Sequence, residues 1–308
     1  MDADLACYLG LDVGGTKIAG GLVMFPSAEV IERRKIPASP ERGGAAVLED
    51  TLTLAAELEA EARAQRQKIR GVGLGVCELV DISGRIASAN SFDWRNLPVL
   101  GRLETVGPAV IEADVRAAAL AEARFGAGSP FSQFLFITVG TGISCCLVQE
   151  GRPFLGARGL TGTMASSPLP ALDGDDVGTS PPTLEEIASG PALVTRYNRR
   201  ASARLASASE VMTAAGRGDG IARDVLRFGA TALGAQLGLL ISSLDPAAVV
   251  IGGGLGTSGG EYWMRLVQAT RAHIYSDLQR NLPILPAGLG PDAGWIGAAV
   301  AAWNKAVV

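Results

Sequence analysis

Two short stretches follow one plan. "LDVGGTKIAGGLV", from Leu11, and "ITVGTGISCCLV", from Ile137, each read as apolar strand, glycine turn beginning Val-Gly, apolar strand. A chain that spells one supersecondary unit twice suggests a duplicated fold. The first turn also imitates a nucleotide-binding loop, because Gly10 to Gly15 have the glycine spacing of G-x-x-x-x-G-K-[ST]. The two residues that follow are Thr16 and Lys17, in the reverse of the order that motif requires. A P-loop must also open a helix whose N-terminal amides cradle phosphate. Here "IAGGLVMF" is apolar, partly β-branched and glycine-interrupted, as in a returning strand. The turn is therefore read as a hairpin tip.

Strands and helices alternate along the rest of the chain, which makes the fold class α/β. Residues 43–67 have helical composition and period, "IRGVGLGV" reads as a buried strand, and "PAVIEADVRAAALAEARFGAG" as a strand running into a helix that Gly126 stops. Residues 168–182, "PLPALDGDDVGTSPP", read as a loop. Helical patterns fill the stretch from Thr183 to Leu244. A strand, a glycine turn and a helix follow from Pro246, and "AGWIGAAVAAWNKAV" closes the chain. At 308 residues the length suits about two domains. The apolar stretch 228–244 falls just short of a membrane span, carries Gln236 and two serines, and is expected to be a core helix.

Three glycine turns each follow an apolar strand: Asp12-Val13-Gly14-Gly15-Thr16-Lys17, Gly140-Thr141-Gly142 and Gly252-Gly253-Gly254. Glycine permits turns that aim successive backbone N–H groups at one anion, and threonine adds a hydroxyl donor. Asp12, ending its strand, suits a hydrated Mg²⁺, which takes one or two carboxylates plus phosphate oxygens. The third turn contains a literal G-x-G-x-x-G, Gly254 to Gly259. A dinucleotide site also wants an acidic residue ending the next strand, and the nearest candidate, Asp277, falls inside the expected helix. Dinucleotide binding is rejected on that ground. Asp114, where "AVI" gives way to a helix, is the candidate general base for phosphoryl transfer to a hydroxyl. An N-cap role for that helix is the alternative.

Bulk properties exclude several classes. A net charge of −4 gives no basic nucleic-acid footprint. The acidic start "MDADLACYLG" lacks the basic region of a signal peptide. The four cysteines have no metal-type spacing, and one histidine, His273, leaves zinc almost without ligands. The expectation is a cytoplasmic protein without a zinc site, membrane segment or nucleic-acid partner.

In order along the chain, the motifs resemble those of the ROK family of sugar kinases and repressors, within the actin/hexokinase-like superfamily. "LGLDVGGTK" looks like its first phosphate motif, "GVGLGVCELVD" its sugar-facing strand and loop, and "NSFDW" its Asn-plus-Trp segment. "IEADVRAAALAEARFG" resembles the element carrying the catalytic aspartate, "FITVGTGIS" the second phosphate motif, and "LEEIASGPAL" the segment after the zinc site. "VVIGGGLG" resembles the adenosine turn, and "GPDAGWIGAA" follows it. The resemblance implies two RNase H-like domains with a cleft between them, holding ATP, Mg²⁺ and a sugar hydroxyl. The expected division is 1–112 plus about 292–308 for the smaller domain and 113–291 for the larger. The first phosphate motif begins at Leu9, which leaves no room for the repressors' helix-turn-helix, so a kinase is expected. Dimerisation is common in the family, and a homodimer is compatible with this chain.

The resemblance makes Asp114 the general base and places Asn90 and Glu185 on sugar hydroxyls. Asp12, Gly14, Gly15, Thr16, Lys17, Gly140, Thr141, Gly142, Gly253 and Gly254 are assigned to the nucleotide and its Mg²⁺. Around the sugar the chain departs from the family. Ala113 and Arg116 replace two asparagines flanking the base, and Gly162-Thr163-Met164-Ala165-Ser166 replaces a stretch that ends Gly-Glu-x-Gly-His. Thr163 thus stands where a sugar-binding Glu is usual, and Glu78 where glycine is usual. The cysteine-rich zinc loop has become "DGDDVGTSPPT". These changes point away from plain glucose, towards a modified or amino sugar or a cyclitol. Glu78 and Arg116 either face that substrate or pair with each other. The alternative function is a degenerate kinase that binds nucleotide or sugar as a sensor, without turnover.

Overall fold

The computed structural model describes residues 5–169 and 181–307. In chain order the elements are β1 Ala6–Val13, β2 Lys17–Phe25, β3 Glu29–Pro37, α1 Gly44–Ala64, β4 Ile69–Val76, α2 Val99–Leu103, β5 Ala109–Ala113 and α3 Asp114–Phe125. Then come β6 Gln133–Val139, β7 Ile143–Gln149, β8 Arg152–Pro153, α4 Leu184–Ala188, α5 Gly190–Arg200, α6 Ala208–Gly216 and α7 Gly220–Leu244. The last are β9 Val249–Gly252, α8 Gly260–Ala272, α9 Asp277–Arg280, β10 Ile284–Pro286 and α10 Ala293–Val307.

The first sheet has the order β3-β2-β1-β4-β5 and the second β8-β7-β6-β9-β10. In each, a hairpin supplies two antiparallel strands, and parallel strands extend the sheet beyond its first member. The duplication expected from two glycine hairpins therefore extends to strand order throughout. This is the two-domain α/β architecture of the actin/hexokinase-like proteins.

Two compact units result. One takes in the chain through Pro130, Gly151–Thr161 and the end from Pro291; the other takes in Phe131–Glu150 and Gly162–Gly290. The first unit thus runs past the expected division at 112, because α3 packs against α10. Its core joins Leu9, Leu11 and Val13 of β1 and Leu74 of β4 to Leu54 and Leu58 of α1. On the other face α10 lies so close to the sheet that side chains have no room. A Cβ on Gly73 would come within 1.7 Å of the Ala298 carbonyl oxygen, and one on Gly10 within 1.9 Å of that of Trp295. These glycines interrupt otherwise apolar strands because a helix backbone replaces their side chains.

β3 lacks the apolar alternation that announces a strand. Its charged run "EVIERRKIP" pairs only with β2, where charge blunts an open edge. In the second unit α7 is, among the described residues, the one helix long and apolar enough to cross a membrane. Its Leu226, Leu233, Leu237 and Ile241 are buried in that unit's core with Leu266 of α8, as expected for a core helix. β9, α8 and β10 make a parallel βαβ unit in which the third glycine turn leads from β9 towards α8, and Asp277 opens α9 instead of lying within α8. β10 ends at Pro286 and Ala287 follows, so no carboxylate ends the second strand and the dinucleotide reading still fails.

Candidate active site

In the first unit, β1, β4 and β5 are parallel neighbours in register, with Val13 opposite Val76 and Val76 opposite Ala113. Their carboxyl ends therefore bring together residues from three distant parts of the sequence: Asp12, Cys77 with Glu78, and Asp114. Carboxyl ends of parallel strands are where open α/β sheets place their chemistry.

The β1–β2 connection is a tight hairpin. Gly14 N donates to the Lys17 carbonyl at 2.9 Å, and Val13 pairs with Ile18. The turn opens a strand, as expected, and not a helix. Asp12 sits half-buried at its base and accepts no hydrogen bond from a described residue. Burial pushes its carboxyl up to about 6, against the pull of the nearby Lys17 ammonium. A Cβ on Gly294, in the first turn of α10, would lie 2.5 Å from Asp12 Oδ2, so the closing helix walls in this carboxylate.

Asp114 is the first residue of α3, and Ala113 occupies the cap position without a side-chain bond. Asp114 Oδ1 accepts from the adjoining Val115 amide at 2.6 Å, and its other oxygen takes no bond from a described residue. It is therefore not the N-cap that the sequence left open. Burial raises its carboxyl to about 7, the Asp12 charge adds to this, and Glu78 contributes further, while the Val115 bond opposes. Burial with the neighbouring Asp114, Glu78 and Asp12 charges pushes the Cys77 thiol up to about 12, against a hydrogen bond with Ser91. This thiol is protonated at neutral pH and is no nucleophile.

Glu78 and Arg116 correct an expectation. Both are buried, at 3% and 4% exposure, and they are not paired with each other. Arg116 Nε donates to Glu112 Oε1 at 2.5 Å, Nη1 to the Gly159 carbonyl at 2.5 Å and Nη2 to the Val80 carbonyl at 2.9 Å. Glu78 accepts from the Ser88 hydroxyl and from the amides of Asn90 at 2.7 Å, Ser91 at 2.6 Å and Phe92 at 3.2 Å. A buried charge needs partners, and each found them within the first unit. Neither side chain is left to face a substrate. Asn90 is exposed on the loop that Glu78 holds, and buried Phe92 and Trp94, with ring centroids 4.5 Å apart, anchor the loop beyond it.

The second unit carries its own phosphate-style turns. Gly140 N bonds to the Gly142 carbonyl at 2.9 Å, closing the β6–β7 turn around exposed Thr141. Glu185 Oε2 accepts from Ile143 N at 2.8 Å, so this carboxylate, expected on a sugar, supports that turn with one oxygen. Gly253 has φ +81°, and a Cβ there would meet the Val139 carbonyl at 2.4 Å; the amides of Leu255 and Gly256 bond to the same carbonyl. Thr163 is exposed and opens a short 3₁₀ turn after Gly162. A cavity of about 480 Å³ lies beside Thr141, lined also by Glu185, Ser189, Arg196 and Arg199. Arg196 and Arg199 belong to no motif in the sequence, nor does Ser88 in the first unit, and Ser189 and Ser91 sit inside motifs that give them no role of their own; only the packing reveals them.

Among the described residues no group of three or more His, Cys, Asp or Glu is arranged to hold a metal. A cation held by one or two carboxylates and by phosphate oxygens needs no such group. Most of the loop that replaces the family's zinc motif lies outside the described residues.

The ROK family model matches residues 8–305. The chain belongs to the ROK family. It is 32% identical over 313 residues to a glucokinase of Streptomyces coelicolor, covering 94% of this chain and 96% of that one. It is 28% identical over 306 residues to an N-acetylmannosamine kinase of Escherichia coli, covering 96% and 98%. Among solved structures it is similar to a ROK family glucokinase from Streptomyces griseus in complex with glucose and AMPPNP. That likeness has a TM-score of 0.80 and 28% identity, and covers 97% of this chain and all of the other. This ROK protein is accordingly an enzyme of the carbohydrate kinase type.

Proposed function

We propose that the enzyme transfers the γ-phosphoryl group of ATP to a hydroxyl of a sugar or sugar-like polyol, with Asp114 as general base. One observation carries this reading: Asp114 stands at a parallel strand end with one oxygen unengaged by any described residue and a carboxyl raised to about 7. A base poised near the working pH combines a useful deprotonated fraction with appreciable proton affinity. Asp114 accepts the hydroxyl proton as the oxygen attacks phosphorus. The phosphate turns, Gly14 to Lys17 in one unit and Gly140 to Gly142 in the other, are assigned to the nucleotide, with Gly253 and Gly254 on its adenosine side. Lys17 supplies positive charge and Thr16 and Thr141 supply hydroxyl donors.

Asp12 fits a Mg²⁺ ion, being a carboxylate without a hydrogen-bonding partner among the described residues. Bound there, Mg²⁺ would neutralise phosphate charge. Asn90 is assigned to a substrate hydroxyl, and Glu185 contributes through its remaining oxygen. Plain glucose is not the acceptor in this reading. Ala113 has no side-chain group to offer a hydroxyl, and Thr163 offers a hydroxyl where the family has a carboxylate. A modified or amino sugar, or a cyclitol, suits a site so altered.

The test is ADP release with Mg-ATP against hexoses, amino sugars, N-acetylated sugars including N-acetylmannosamine, and cyclitols. Turnover of one acceptor, lost in Asp114→Asn, supports the reading. Glucose turned over as efficiently as any other acceptor would end the substrate assignment. No turnover at all, with Mg-ATP still bound, would favour a sensor.

A further inference from the structure

We propose that Glu78 is a positioning residue for the acceptor site: it sets the orientation of Asn90 so that the Asn90 amide oxygen is presented to a substrate hydroxyl. This rests on the assignment of Asn90 to the acceptor.

The Glu78 carboxylate uses both oxygens. Oε2 accepts from the Ser88 hydroxyl and the Asn90 amide, and Oε1 accepts from the Ser91 and Phe92 amides. Three successive backbone N–H groups thus converge on one buried anion, and the loop wraps around the side chain. A neutral carboxyl or amide cannot do the same, because it would turn a donor towards donors. Ser88 extends the arrangement to the Asn90 side chain. Its hydroxyl donates to Glu78, and its oxygen accepts from Leu79 N at 2.8 Å and from Asn90 Nδ2 at 3.3 Å. The backbone of Asn90 is therefore fixed directly, and its amide group is turned through Ser88.

With Nδ2 engaged, Oδ1 is the atom left without a partner among the described residues, on an exposed side chain. An oxygen in that state accepts a hydroxyl proton and does not donate one. The next residue, Ser91, lies against the phosphate hairpin: a Cβ on Gly15 would be 3.5 Å from Ser91 Oγ. The loop that Glu78 holds therefore lies beside the Gly14–Lys17 turn within a single unit. The glycine that the family resemblance puts at position 78 offers no such anion.

The experiment uses the intact enzyme and an acceptor that the wild type turns over. Glu78→Gln keeps the volume but loses one accepting oxygen. We expect the acceptor KM to rise about tenfold, a change of about 1.4 kcal/mol, with the KM for ATP changed less than about twofold. Amide exchange at residues 90–92 speeds up in the same variant. In an Asn90→Ala background, Glu78→Gln is expected to change the acceptor KM less than about twofold, because positioning has no side chain left to act through. An acceptor KM unchanged in Glu78→Gln, or a tenfold effect that persists without Asn90, overturns the proposal. Should Glu78→Gln not fold, Ser88→Ala keeps all three backbone bonds and decides the matter. Its acceptor KM is expected to rise about threefold, and an unchanged value overturns the proposal. A wild type that turns over no acceptor defeats the proposed activity and this inference together. A wild type with turnover and an indifferent Glu78→Gln defeats this inference alone.

Discussion

Asp114 and Asp12 are two carboxylates that burial has pushed in the same direction, to about 7 and about 6. A general base works only when deprotonated, so with Asp114 as the proposed base kcat/KM is expected to fall as pH drops below about 7. Asp114→Asn should lower kcat by a factor of about 10² to 10⁴ and remove that fall, which a pH–rate profile reads directly. The same shifts bear on stability with a definite sign. Both folded values lie above the ordinary carboxylate range, so the folded state binds more protons than the unfolded one between about pH 4 and pH 7. Stability from these groups is present below pH 4 and lost as pH rises to 7. Asp114→Asn should therefore melt at least about 2 °C above wild type at pH 8, with the difference shrinking towards pH 4. A melting difference independent of pH would contradict the assigned shift.

At the scale of elements, α3 is held by the side chain two residues beyond Asp114. Arg116 ties the helix to Glu112 on β5, to Gly159 and to Val80. Arg116→Ala strands the buried carbonyls and Glu112, and is expected to cost about 3 kcal/mol in urea unfolding. Arg116→Lys should recover little of this, because one ammonium cannot serve three acceptors set around a planar guanidinium. The hairpin turns, the β5–α3 junction and the closing helix were legible from apolar runs and glycine placement. β3 was not, because a charged edge strand has no alternating pattern and is defined by its partner β2. Nor were the roles of Glu78 and Arg116 legible. In sequence they look like charges beside a site; in the fold Glu78 is held by the Ser88 hydroxyl and by amides 12 to 14 residues on, and Arg116 by Glu112 and by carbonyls 36 and 43 residues away.

For the whole molecule, nucleotide binding separates an active kinase from a protein with decayed phosphate turns. Mg-ATP at about 100 times its Kd should raise stability by roughly 2.7 kcal/mol, seen as an upward shift of Tm. Asp12→Asn is expected to abolish most of the extra shift that Mg²⁺ gives over ATP alone. Metal analysis of the purified enzyme is expected to find no stoichiometric zinc, and a zinc-selective chelator with Mg²⁺ kept in excess to leave activity and Tm unchanged; a tightly bound equivalent of zinc would refute the loss of that site.

From the sequence alone came the α/β class, the duplicated hairpins, the family, and Asp12 and Asp114 as the carboxylates of interest. The family rests on the resemblance of its motifs in order; the other conclusions depend on local rules: glycine where a turn needs it, apolar runs where strands are buried, an acid where a strand becomes a helix. Tertiary structure decided which charges are held by the fold and which are left without a full set of partners among the described residues. Parallel pairing of β1, β4 and β5 brought Asp12, Glu78 and Asp114 to one sheet edge, raising two of their pKa values, and it closed the 88–92 loop around Glu78. The reason is physical. A carboxylate's role depends on the donors and charges around it, and in this fold several of those arrive from 10 to more than 100 residues away along the chain.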